Sequence, residues 1–297
     1  MRTRQVIRAS AKINLGLNVL SRRPDGYHEL ESVMQQISLA DLIVLEPYPD
    51  KNCRFSCTVQ ALSGPDNLVF KAVQLLEEKA GEKLGGVAIT LYKNIPLEAG
   101  LAGGSSDAAA ALIGLNRFWN LGFSKDELNN LASQLGSDVT FCLGGGTALA
   151  MGRGEIIERL PALPFFWVVL AVPKGIKILT AEAYGALDQR NFGNPVIIPL
   201  IEAIRNKSKR GILDWLQAGK TNTLETVRGP GFDKVQQLKR RLVNLGLMPL
   251  FSGSGPTLFM LFEQYSLARN VSHAINQEGD SAYLCWTMSG NEEWLDV

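Results

Sequence analysis

Between a strand-like alternation at Val87, Ile89 and Leu91 and the helix-forming run DAAAALIGLNRFW lies the segment IPLEAGLAGGSS, with glycines at 100, 103 and 104. Glycine lets a backbone come close to a ligand. The first-turn N–H groups of the helix that follows have no intrahelical partners, and the helix dipole is positive at that end. An anion is favoured there, and a phosphate fits. Ser105 and Ser106 add hydroxyl donors. The plain alternative is a glycine-rich turn with serine caps, and the loop alone leaves it open. No lysine follows the glycines as in GxxxxGK[ST], no GxGxxG follows a strand, and the protein-kinase signatures HRD and DFG are absent.

Ile13, Leu15, Leu17 and Val19 alternate with Lys12, Asn14, Gly16 and Asn18, which predicts a strand with one apolar and one polar face. After the turn RRPDG a second strand-like region runs from Tyr27 to Leu45. A helix is expected from Asp66, as N-cap, to Lys79, with Gly81 past its end. Ser124 and Glu127 form a capping box for another that closes near Gly136. LGGGTALAMGRGE then reads as a turn, a short strand and a turn, and PALP at 161–164 as a hinge between a domain of residues 1–160 and one of 161–297. Beyond it the pattern predicts strands at 166–172, 257–262 and 281–286 and helices near 180–189, 196–207, 210–217, 232–245 and 265–277. Such intermixing is α+β.

Lysine and arginine number 30 against 29 acidic residues, so no broad field would attract nucleic acid or an anionic membrane. The longest apolar stretch, PFFWVVLAV, is too short to cross a bilayer. No apolar run of signal-peptide length follows the N-terminus, so secretion is not expected. Four cysteines and two histidines assemble no usual zinc spacing and read as reduced thiols. The expectation is a cytoplasmic protein, bacterial rather than plastidic. The basic runs Lys207–Arg210 and Lys239–Arg241 read as solvated faces. The sequence carries no signal for oligomeric state.

PLEAGLAGGSSDAAAAL resembles the second motif of the GHMP kinases, the galactokinase, homoserine, mevalonate and phosphomevalonate kinase superfamily. AKINLGLNV resembles the first motif and LFSGSGPTLF the third, in the family's order. The resemblance implies an α+β two-domain fold, an N-terminal domain like ribosomal protein S5 domain 2 and a C-terminal ferredoxin-like domain, with ATP as phosphoryl donor and Mg2+. It places Pro96, Leu97, Glu98, Ala99, Gly100, Leu101, Ala102, Gly103, Gly104, Ser105 and Ser106 on the nucleotide, with Gly253, Ser254 and Gly255 near its phosphates. It also places Asn67 near the adenine and makes Ser106 a candidate magnesium ligand. A bare turn remains the alternative for 253–255, and the first turn of a helix for Asn67.

PDGYHELESV and LGSDVTFCLGGGTALAMGRGE are similar to one branch, the kinases that act on a cytidine-diphosphate-linked methylerythritol of the non-mevalonate isoprenoid pathway. That likeness implies phosphorylation of the 2-hydroxyl, with Tyr27 and His28 on the cytosine. A flat base wants an aromatic face, worth about 1–3 kcal/mol by analogy with base stacking. Its edge wants a directional donor and acceptor such as His. Tyr184 aligns with a second aromatic wall, although a core position on an amphipathic helix suits it as well. Asp138 is implied as base and Lys12 as its cationic partner, with Asn14 on the same strand face orienting the hydroxyl or a phosphate oxygen. Taken singly, Asp138 reads as a cap and Lys12 as a solvated cation. Thr140 stands where many relatives have Pro, which leaves the backbone after Asp138 less fixed. A GHMP kinase for another alcohol, such as homoserine or mevalonate, and a silent binding protein on the same fold are the alternatives.

Overall fold

A computed structural model describes residues 3–50 and 52–290. The N-terminal half opens with two long strands, β1 (Gln5–Arg22) and β2 (His28–Pro47), and continues through β3 (Cys53–Cys57), α1 (Leu68–Ala80), β4 (Val87–Tyr92), α2 (Gly103–Phe118), α3 (Lys125–Leu135), α4 (Ser137–Gly144), β5 (Thr147–Gly152) and β6 (Ile156–Arg159). Its sheet runs β3-β4-β2-β5-β6, with β1 paired to β2. Only β3 and β4 are parallel among these pairs. The C-terminal half consists of β7 (Trp167–Val172), α5 (Thr180–Gly185), α6 (Ile198–Arg205), α7 (Lys209–Gln217), α8 (Pro230–Asn244), β8 (Leu250–Phe251), β9 (Leu258–Phe262), α9 (Tyr265–Gln277) and β10 (Ser281–Trp286). Its antiparallel sheet is ordered β10-β7-β9-β8. With helices between the first and second and between the third and fourth strands, this is the ferredoxin-like arrangement.

β1 binds the two halves together. Its ladder with β2 is irregular between Ser10 and Lys12, and such irregularities bend a strand. Up to Ala9 its apolar side chains pack with α1, α2 and α3; from Ala11 to Leu15 they join Phe166, Val168 and Leu170 of the second half. Leu17 and Val19 enter a third cluster with Phe232, Phe251 and Leu258. One strand therefore contributes to three cores, and its register sets the relation between the sheets.

The strand's polar residues depart from expectation. Lys12, Asn14 and Asn18 lie on no solvated face; each is under 5% exposed. α1 also differs at its start, because Asn67 is the N-cap and accepts from Val69 N–H, one residue past the expected Asp66. Gly81 closes the helix in the left-handed conformation, as its lack of a Cβ permits. The capping box of Ser124 and Glu127 is formed at α3. β3, α4, β6 and β8 lack any counterpart in the sequence reading. α4 starts at Ser137 without a side-chain cap, and β6 is a four-residue strand with little buried surface. α5 is also shorter than the helix expected at 180–189.

Replacing Asn67 with alanine removes the cap's acceptor and should lower the unfolding free energy by about 1 kcal/mol, read by urea denaturation. An unchanged midpoint would mean that the cap contributes nothing.

Candidate active site

The three sequence motifs meet around one cavity of about 770 Å³. β1 supplies Lys12 and Asn14. The Lys12 ammonium donates to Asn14 Oδ1 at 2.8 Å and lies 3.4 Å from an Asp138 carboxylate oxygen. Asn14 is fixed in turn, because its Nδ2 donates to Ser32 Oγ, which donates to the Gly16 carbonyl. Asp138 sits on the first turn of α4 with about a third of its side chain exposed, whereas the Lys12 side chain is 6% exposed. An almost buried ammonium thus faces a carboxylate that opens on the cavity.

The glycine-rich loop forms the neighbouring wall. Every second residue from 98 to 102 is left-handed, with φ of 53° at Glu98, 71° at Gly100 and 56° at Ala102. Alternation of this kind turns successive N–H groups towards one side, a concavity suited to anions. Held left-handed, Glu98 and Ala102 each cost about 1–3 kcal/mol, a strain found where surrounding structure imposes a functional shape. α2 begins at Gly103, so Gly103 to Ser106 form its first turn, and no side chain caps it. The loop is tied to β1 through Lys12 N–H to the Leu101 carbonyl.

The C-terminal half closes the site with the turn between β8 and β9. A Cβ on Gly100 would lie 2.5 Å from the Ser252 carbonyl oxygen and 2.9 Å from that of Gly255, so the two turns fit only with glycine there. Gly253 and Ser254 line the cavity, whereas Gly255 backs the contact. Asn222 holds this turn by donating to the Gly253 carbonyl at 2.8 Å.

The opposite end is aromatic. The His28 ring stands 5.3 Å from Tyr184 and, edge-on, 5.8 Å from Phe192. Tyr184 lines the cavity and also packs against the third hydrophobic cluster. Tyr27 is 56% exposed at the rim, with the Arg153 guanidinium 4.8 Å from its ring centre. Burial, with Arg22 nearby, pulls the His28 imidazole below its ordinary value, and burial, followed by Asp138, pushes the Tyr184 phenol up. At neutral pH His28 therefore presents one N–H and one lone pair.

Two expected site residues point elsewhere. Ser106 is fully buried and its hydroxyl donates to the Ser10 carbonyl, pinning α2 to β1. It turns no oxygen to the cavity, so the expectation of a magnesium ligand there is corrected; Ser105 is the serine that lines it. Asn67 accepts from Val69 N–H, donates to the Leu62 carbonyl and is not among the residues lining the cavity. Pro96 to Ser105, by contrast, all line the cavity.

Lys93 is a functional candidate that sequence reasoning missed, although its place just before the loop was a signal. It lines the cavity and pairs with both Asp41 and Asp107. Asp41 also accepts from the N–H groups of Asn94 and Ile95, so one buried carboxylate sets the entry to the loop. Asp107, which follows the first turn of α2, accepts from Lys93 at 2.6 Å. Burial raises its carboxyl to about 7, against the pull of Lys93 and with help from Asp41. Burial lowers Lys93, but the two carboxylates outweigh it and hold the ammonium above its ordinary value.

A carboxyl raised by folding binds its proton more tightly in the native state, so its contribution to stability falls as pH climbs from 3.8 through about 7. Asp107→Asn should therefore cost more unfolding free energy at about pH 5 than at about pH 8. Equal costs in urea titrations at both values would contradict the shifted carboxyl.

The chain matches the GHMP kinases N terminal domain over residues 67–146 and the GHMP kinases C terminal domain over 200–281. It is 44% identical to a 4-diphosphocytidyl-2-C-methyl-D-erythritol kinase of Listeria innocua, covering 96% of this chain and 98% of that protein. It is 43% identical to one of Bacillus velezensis, covering 97% and 98%. A solved 4-(cytidine 5'-diphospho)-2C-methyl-D-erythritol kinase superposes with a TM-score of 0.79 at 35% identity, over 95% of this chain and 99% of that one.

Proposed function

The chain belongs to the GHMP kinase family, and from that membership we propose that it transfers the γ-phosphoryl group of ATP to the 2-hydroxyl of 4-(cytidine 5'-diphospho)-2-C-methyl-D-erythritol, giving the 2-phosphate and ADP. The product belongs to the non-mevalonate route to isoprenoid precursors. The observation that carries the reading is the order of parts along one cavity: an anion-binding loop, the Lys12–Asp138 pair, then the His28, Tyr184 and Phe192 corner.

An alcohol is a weak nucleophile. Asp138 is the base that accepts its proton, a role worth roughly 10²–10⁴ in rate. Lys12, steadied by Asn14, holds the carboxylate and faces the negative charge that builds on the transferred group. The N–H groups of the loop and of α2's first turn take the phosphates of ATP. A magnesium ion bound with those phosphates would need only one or two protein oxygens. Ser105 and Glu98, whose carboxylate pairs with Lys177 at 3.0 Å, line the cavity from the loop and would be the residues to hold it. The metal supplies charge neutralisation for the phosphates. Lys93, beside Gly103, adds a cation at the same end.

At the acceptor end His28, held neutral, pairs with the edge of the cytosine while Tyr184 and Phe192 form its apolar walls. Mevalonate and homoserine carry no base and would leave that corner unfilled. No helix among the described residues is long and apolar enough to cross a membrane. The four cysteines are unbridged, and we place the reaction in a bacterial cytoplasm.

A coupled assay for ADP release should report turnover with the cytidine-linked methylerythritol; turnover with mevalonate or homoserine alone would overturn the substrate. His28→Ala should lower kcat/KM for the cytidine substrate by about tenfold to a hundredfold, the cost of a base edge left unpaired, with the KM for ATP within about twofold. An equal loss in ATP affinity would put the two nucleotides in the wrong ends of the cavity.

A further inference from the structure

The cations lining the cavity divide into two kinds. Lys12 is engaged by Asn14 and Asp138, and Lys93 by two buried carboxylates. Arg22 and Arg153 stand apart from both groups, at the aromatic end. Arg22 is the last residue of β1 and lies directly across the ladder from His28, a position from which cross-strand side chains share a face. Arg153 projects from the turn between β5 and β6, flanked by the left-handed Gly152 and Gly154. Its guanidinium rests on the Tyr27 ring at 4.8 Å. Glu155 braces that turn, accepting from Arg153 N–H at 2.6 Å, and touches the guanidinium only at 3.5 Å. Arg22 has no carboxylate partner among the described residues.

We propose that Arg153 and Arg22 form the subsite for the diphosphate of the acceptor, the stretch that joins its base to its reacting alcohol. The inference rests on the function proposed above. A substrate with its base on His28 and its 2-hydroxyl at Asp138 must lay two phosphates along the wall between them. The carboxylates lining the cavity are Asp138, matched by Lys12, and Glu98 on the nucleotide loop, matched by Lys177 at 3.0 Å. The two arginines are the positive charges left to meet an anion at the acceptor end. Guanidinium presents a planar fork of donors that fits phosphate oxygens two at a time. The contact with the Tyr27 ring, 4.8 Å from the guanidinium carbon to the ring centre, is a cation–π attraction that takes up no N–H donor. A cation already held in place loses little freedom when the phosphates arrive. Tyr27 thereby gains a second purpose: besides lining the rim, it carries the arginine that reads the phosphates.

The test uses cytidine and cytidine 5'-diphosphate as competitive inhibitors against the methylerythritol substrate at fixed ATP. With the wild-type enzyme the diphosphate should bind more tightly than the nucleoside. In Arg153→Gln and in Arg22→Gln the diphosphate should weaken by about tenfold, the size of a lost charge-assisted contact, while cytidine and the KM for ATP stay within about twofold. Arg153→Lys, which keeps the charge without the fork, should fall between. Equal weakening of cytidine and its diphosphate would mean that the arginines only support the aromatic walls, and unchanged binding of both would remove them from recognition; either result overturns the subsite. Failure of both compounds to compete with the wild-type enzyme would instead sink the cytidine-linked substrate itself, and the subsite with it.

Discussion

A buried ammonium has to be paired, and in this protein the pairing of Lys12 organises the site. Left without partners, such a charge would cost several kcal/mol, and breaking a buried pair costs about 3–5 kcal/mol. Lys12 is 4% exposed and is met by Asn14 from its own strand and Asp138 from α4. Its backbone N–H reaches the glycine loop, and Gly253 packs against the Asn14 side-chain Oδ1, where an added Cβ would lie 3.3 Å away. One strand position therefore gathers the first motif, the second, the third and the proposed base. β1 can do this because it belongs to three hydrophobic clusters at once. Moving it would disturb all of them.

A second buried charge group repeats the logic at the nucleotide end. Asp41 holds Lys93 with one oxygen and the backbone of Asn94 and Ile95 with the other. The strained loop that follows thus leaves the sheet from a fixed point. Three charges with a single cation among them leave one carboxyl, Asp107, that burial pushes towards neutrality. Its Oδ1 has no hydrogen-bond partner among the described residues. The strain at Glu98 and Ala102 and this unmet oxygen lie on either side of the same turn of helix, where the phosphates of ATP are proposed to bind.

Much of this was legible in the sequence, and the rest fails for physical reasons. The capping box at Ser124, Gly81 at a helix end and the alternation in β4 are local signals, written within a few residues, and the elements formed where those signals lie. Lys12 and Asn14 alternate with apolar residues, which reads as a wet face; only tertiary packing turns that face into the wall of a cavity. A hydroxyl or amide near a loop has two possible employers, ligand and backbone, which a sequence does not distinguish; here the Ser10 carbonyl engages Ser106 and the Val69 N–H engages Asn67. Phe192 follows a 3-10 turn with no periodic pattern around it, and it reaches His28 from far along the chain. α4 was missed because eight residues between glycines carry too little periodicity to announce a helix.

The central claim is that Lys12 and Asp138 act as one unit on the acceptor hydroxyl. Kinetics of Lys12→Met, Asp138→Asn and the double variant with the cytidine-linked methylerythritol test it directly, with circular dichroism to show that each protein is folded. Groups that act together lose their effect together. Each single change should lower kcat by at least ~10²-fold, and the double variant should be no slower than the worse single one. Losses that multiply in the double variant, or near-wild-type turnover in Asp138→Asn, would contradict the account.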